Sequence, residues 1–189
     1  MTGLRYLLAA AACATLISGT AHAQQSPFAL SSTSFKSGAL MDKKHAGNLS
    51  ANPNCIGDNV SPQLSWTNAP AGTTSYAMIM VDPEGRAGQG VDHWIAYGIP
   101  ASVTSFAEGE ASKASDKFVG GVGTGKQNVY LGPCTPPNTT AHQYVFIMLA
   151  TDLDPKALPA GLTKADLLPK LDGHVKATST IVGLFQKPK

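Results

Sequence analysis

Two runs in this chain are apolar at almost every position: residues 75–82, S-Y-A-M-I-M-V-D, and residues 143–152, Q-Y-V-F-I-M-L-A-T-D. Both are rich in β-branched and aromatic side chains and are bounded by turn-forming residues. They therefore predict strands buried on both faces. Residues 93–99, H-W-I-A-Y-G-I, make a third strand that Pro100 stops. Weaker candidates cover residues 28–34, 64–66 and 128–131. Segments dense in Gly, Pro and Asn lie between them, at 52–62, 83–90, 120–126 and 132–140. Long structured loops of this kind often carry function. One helix is expected near the C-terminus. Thr163 and Asp166 form a T-x-x-D capping pattern, after which Leu167, Leu168, Leu171 and Val175 share a face. Pro169 sits inside that pattern and should kink the helix or delay its start. The pattern predicts a mainly β protein.

The first residues follow a different logic. Arg5 is the only charge before a nearly continuous apolar run from Tyr6 to Ile17, and Ala21-His22-Ala23 follows. A positive start, a short apolar stretch and an A-x-A site predict a secretory signal peptide at residues 1–23, cleaved after Ala23. A membrane anchor is the alternative, but the run is short against the roughly 20 residues a span needs. Cys13 does not read as a lipidation site, because Ala10 stands where a large aliphatic is expected and the apolar run continues past it. Residues 24–189 then form a single domain, exported to the periplasm or beyond.

Charge narrows the partners. The formal net charge of the whole chain is +2, and loss of Arg5 lowers it by one. Neither a nucleic-acid partner nor a basic membrane-binding stretch fits that balance. Two cysteines remain after the leader, Cys55 and Cys134, and in an oxidising compartment they are expected to pair. A redox-active pair is the sharper alternative, but no C-x-x-C motif supports it.

Several motifs dissolve on inspection. Gly120-Gly121-Val122-Gly123-Thr124-Gly125-Lys126 has the outline of a phosphate-binding loop. Gln127 stands where a Mg²⁺-binding hydroxyl is required, and N-V-Y-L-G-P cannot follow as a helix, so it reads as a glycine-rich turn. There is no G-x-S-x-G elbow. A Cys134–His142 nucleophile pair would compete with the disulfide.

Asp82, His93, His142 and Tyr144 form a more informative set. Asp82 ends one strand, His93 opens the next, and His142 and Tyr144 share a face of a third by period-two geometry. An imidazolium and a phenol can both donate to a phosphate or carboxylate. A carboxylate beside histidine favours its charged form and can also accept from a ligand ammonium. A phosphoethanolamine-like group suits such a set, as other small zwitterions would. A metal site using Asp82, His93 and His142, as in a metal-dependent enzyme, is the competing reading.

The same residues carry a resemblance. C-I-G-D-N-V-S-P-Q-L-S-W at 55–66, A-P-A-G-T-T-S-Y-A at 69–77, D-P-E at 82–84, H-W at 93–94, Y-L-G-P-C-T-P at 130–136 and H-Q-Y-V-F at 142–146 resemble the phosphatidylethanolamine-binding protein family. The bacterial Raf-kinase-inhibitor-like branch is the nearest, and the likeness runs from about residue 28 to the C-terminus, G-H-V at 173–175 included. It implies a central antiparallel sheet, a second smaller sheet, short peripheral helices and a shallow pocket for phosphate-like anions and phospholipid headgroups. By position, Asp82, His93, Gly132, Pro136, His142 and Tyr144 would form that pocket. It further implies a binding protein or a modulator of a partner protein, with no catalytic activity and no obligatory cofactor.

Departures fall on the rim. Glu84 replaces the second acid of the usual D-P-D, and Gly85-Arg86 replaces Ala-Pro. Val91 and Asp92 stand where an aromatic usually precedes the pocket histidine. Thr135 replaces a proline, and Asn138-Thr139-Thr140 replaces a glycine-containing turn. Asp92 is positioned to repel an anion or recruit a cation. A rival reading keeps the fold but assigns function to surface loops that inhibit a partner independently of the pocket.

Overall fold

A computed structural model describes residues 26–137 and 140–187. The expected leader and Asn138-Thr139 lie outside the described residues. No helix among the described residues is long and apolar enough to cross a membrane.

Two antiparallel sheets build the molecule. The smaller has the order β1 (Ala29–Ser31), β2 (Leu64–Thr67), β5 (Ser105–Phe106). The larger has the order β6 (Val119–Gly120), β4 (Val91–Pro100), β3 (Ser75–Asp82), β7 (His142–Thr151), β8 (Val175–Phe185). This is the expected mainly β class, with a central sheet and a smaller second one.

The double-sided apolarity of β3 has a direct cause. Tyr76, Met78 and Met80 point into the core between the sheets, while Ala77 and Ile79 join a second cluster on the opposite face. Alternate residues serve alternate cores, so neither face can be polar. Phe106 joins the layers: its ring lies edge-on to Trp66 of the small sheet at 5.4 Å and to Trp94 of the large one at 5.7 Å.

The second cluster is covered by the helix Lys164–Leu171. Thr163 and Asp166 form the expected capping box, and Leu167 and Leu171 are buried. Pro169 lies within the helix, which ends two residues later. The face expected from spacing is only partly right, because Leu168 is 44% exposed and Val175 belongs to β8. Residues 128–131 are not a strand. Tyr130 N–H donates to the Ala111 carbonyl and Leu131 N–H to that of His93, single bonds that build no ladder.

Candidate functional site

The pairing of β3 with β7 decides the site. Their register, Met80 with Phe146 and Val81 with Val145, brings the end of β3 beside the start of β7. Asp82 and His142, 60 residues apart, meet there: His142 Nδ1 donates to Asp82 Oδ2 at 2.9 Å. Asp82 Oδ1 accepts from the Gly85 N–H at 2.9 Å. Both residues are buried, and a polar group out of contact with water is costly unless it is hydrogen-bonded in this way.

His93 arrives by a different device. Met80 pairs with Trp94 but Val81 pairs with Asp92, so His93 is the extra residue of a β-bulge in β4. Bulges re-aim a side chain at the edge of a site. The ring Nδ1 donates to the Leu131 carbonyl at 2.9 Å. Burial pushes His93 below the ordinary imidazole pKa, against the opposing pull of the Leu131 carbonyl and Asp82. Because the carbonyl can only accept, Nδ1 is the donor of that bond, and burial disfavours the charged ring.

Tyr144 stands behind these residues. Its ring meets His93 edge-on at 5.1 Å, and its hydroxyl lies 2.8 Å from Thr135 Oγ1. Burial raises its pKa well above the phenol range, and the Asp82 carboxylate adds to that. Thr135, which replaces a proline of the family pattern, is thus the hydroxyl's partner.

The segment 131–136 forms one wall and is tied down at several points. Gly132 N–H donates to Asn59 Oδ1 at 2.8 Å, and Asn59 Nδ2 donates to the Tyr130 carbonyl at 3.0 Å. The Gly47 N–H donates to the Pro133 carbonyl at 2.9 Å. Cys55 and Cys134 are joined by the expected disulfide, with Cα atoms 4.3 Å apart. That bond removes Cys134 from any nucleophile pair with His142. Gly132 is required by close approach, since a Cβ there would lie 1.9 Å from the His45 carbonyl oxygen.

A cleft of about 460 Å³ opens over this arrangement. Of the six residues expected in the pocket, Asp82, His93, Pro136 and His142 line it. Gly132 and Tyr144 do not; they support the wall and the floor from behind. Sequence reasoning left out other lining residues, among them Leu49, Glu84, Arg86 and Thr124. Glu84 and Arg86 were visible as departures from the family pattern. Thr124 comes from the glycine-rich turn, whose close packing carries it to the cleft. Asp92 is not among the lining residues; Lys164 pairs with it instead.

The metal reading takes a different form from the expected one. Ligand atoms of Asp82, Glu84 and His142 lie within 4.8 Å of one another. His93 is not part of that group. Both oxygens of Asp82 already accept hydrogen bonds, and Glu84 Oε2 accepts from the Gln143 N–H at 3.2 Å.

Known proteins share this architecture. A family model described as phosphatidylethanolamine-binding protein matches residues 31–186. The UPF0098 protein of Aquifex aeolicus is 31% identical over 160 residues, 82% of this chain and 86% of that protein. The crystal structure of Escherichia coli YbcL, described as a member of the mammalian PEBP family, matches with a TM-score of 0.77 at 26% identity. The match covers 86% of this chain and 100% of YbcL. A phosphatidylethanolamine-binding protein homolog from Chlamydia trachomatis gives a TM-score of 0.72 at 31% identity, covering 86% of this chain and 99% of its own.

Proposed function

The chain belongs to the phosphatidylethanolamine-binding protein family, and from that premise we propose that it is an exported, non-enzymatic binding protein for phosphate-bearing headgroups of the phosphoethanolamine type. The observation that carries this reading is the Asp82–His142 pair at the floor of an open cleft. A carboxylate and an imidazole side by side match a ligand that carries both charges, since each can address one of its ends. The apolar rim, including Leu49 and Leu131, suits a headgroup attached to something less polar. Export is supported by the leader-like N-terminus and by the Cys55–Cys134 disulfide, a bond characteristic of oxidising compartments.

The test is an NMR titration of the histidine ring signals in the chain lacking residues 1–23. Phosphoethanolamine, then acetate, then Zn²⁺ are added in turn. Saturable shifts at His93 and His142 with phosphoethanolamine are expected. Tight Zn²⁺ capture by His142 with no response to either anion would replace this reading with a metal site built on Asp82, Glu84 and His142.

A further inference from the structure

The glycine-rich turn at 120–126 folds around one side chain, that of Gln127. Its Nε2 donates to the His93 carbonyl at 2.8 Å and to the Asp92 carbonyl at 3.2 Å. Two glycines of the turn make room for the amide. A Cβ at Gly123 would collide with Gln127 Nε2, and one at Gly125 would lie 2.7 Å from Gln127 Oε1. The Gly123 N–H closes the turn onto the Gln127 carbonyl at 2.9 Å. What has the outline of a phosphate loop is therefore wrapped around an amide.

Asp92 and His93 are neighbours, and in a regular strand the carbonyls of neighbours point to opposite edges. One nitrogen reaches both here because His93 is the extra residue of the bulge. A primary amide carries two hydrogens, one for each carbonyl. Each carbonyl also accepts a backbone N–H, Asp92 from Thr124 at 2.9 Å and His93 from Leu131 at 3.1 Å. Gln127 differs in tying the two together, which a straight strand would not allow. The amide has no second orientation, since turning it over would set Oε1 against two carbonyl oxygens that only accept. Oε1 is left buried with no partner among the described residues. A methionine would fill this space without orphaning an oxygen, so the two N–H bonds account for glutamine here.

We infer that Gln127 is a positioning residue for the cleft: its amide holds the bulge of β4 and, through it, sets the His93 ring that lines the cleft. The ring is tied by its own Nδ1 to the Leu131 carbonyl, and its backbone is tied by Gln127 from the glycine-rich turn. A bulge that relaxes into regular pairing shifts the register by one residue and turns side chains to the other face. Loss of the amide therefore disturbs His93 before it disturbs the sheet. The choice of phosphoethanolamine as probe rests on the headgroup reading above, whereas the His93 ring signals need no ligand.

The test compares the chain lacking residues 1–23 with its Gln127→Met variant, which keeps the length of the side chain and removes both donors. The His93 ring signals in NMR should shift, and phosphoethanolamine affinity by calorimetry should fall about fivefold. In a His93→Gln background the same substitution should change affinity by less than about twofold, because the clamp acts through the ring. A protein merely weakened in its fold would lose affinity equally in both backgrounds. Circular dichroism establishes that each variant folds. Gln127→Glu keeps the shape and turns both donors into acceptors, so it should move the same ring signals if the methionine variant does not fold. In the wild type, the Gln127 side-chain N–H protons should exchange with solvent more slowly than those of exposed Gln143, a measurement that needs no variant. Exchange as fast as that of Gln143, unchanged ring signals or affinity in folded Gln127→Met, or equal losses with and without His93 would each overturn the inference and leave the headgroup reading standing. If the wild type binds no phosphoethanolamine, the headgroup reading falls, and the ring signals and amide exchange still decide whether Gln127 positions His93.

Discussion

Replacing both Cys55 and Cys134 by alanine tests how much of this fold depends on a single covalent tie. The bridge joins residues 79 apart in sequence. In the chain-entropy model, closing a loop of that length costs the unfolded ensemble the equivalent of about 4.5 kcal/mol at 25 °C. Native contacts around the bridge survive its loss: the Gly47–Pro133, Gly57–Gly47 and Gly132–Asn59 hydrogen bonds do not involve sulfur. The native state should therefore keep its shape, and the loss should arise in the unfolded chain. Urea denaturation of the oxidised wild type and of the double variant measures it. With a slope of about 2 kcal/mol per molar, the midpoint should fall by about 2 M. Thiol titration first establishes that the wild type is fully oxidised. A loss under about 1 kcal/mol with no free thiol would refute the reasoning, and would mean that the unfolded chain keeps the two segments together without the bond.

Two further outcomes follow from the packing of the site. Gly132→Ala places a methyl against the His45 and Ala46 backbone, where no flexible side chain can yield. A loss of about 3 kcal/mol or more is expected, together with loss of phosphoethanolamine binding as the wall moves; a variant within about 1 kcal/mol of wild type would contradict the close approach. His93, with its pKa lowered by burial, binds its proton more tightly when unfolded. Its contribution to stability is thus complete above the unfolded value of about 6.5 and is lost as pH falls through the folded value, at no more than about 1.4 kcal/mol per pH unit. Urea midpoints measured from pH 7.5 to 5 should fall more steeply for wild type than for His93→Gln, and equal slopes would rule this out.

Much of this was legible in the chain. Strands β3, β4 and β7 could be read because they serve two cores and so carry apolar residues at nearly every position. Strand β8 could not. Its first half, Val-Lys-Ala-Thr-Ser-Thr, is largely exposed, and its pairing with β7 is a tertiary outcome that local composition does not announce. Residues 128–131 misled for the converse reason: they are extended and partly apolar, yet their hydrogen bonds go to separate segments. At the site, Asp82, His93 and His142 could be located from strand ends and from the family pattern. The bulge that turns His93 toward the cleft depends on cross-strand register, and the left-handed turn that presents Arg86, at φ 53°, depends on backbone handedness. Neither is written in residue type alone.

The placement of β7 also has a kinetic consequence. Strands β3 and β4 can close as neighbours, with only 83–90 between them, whereas β3 must wait for β7 to arrive from 60 residues away. Pairings of that separation form late and slowly, because the loop entropy is spent before the contact repays it. Asp82 and His142 lie at the end of this long-range seam. During synthesis or refolding, binding competence should therefore appear abruptly and late, after most secondary structure is in place. Ligand binding would then serve as a stopwatch for the closing of the central sheet.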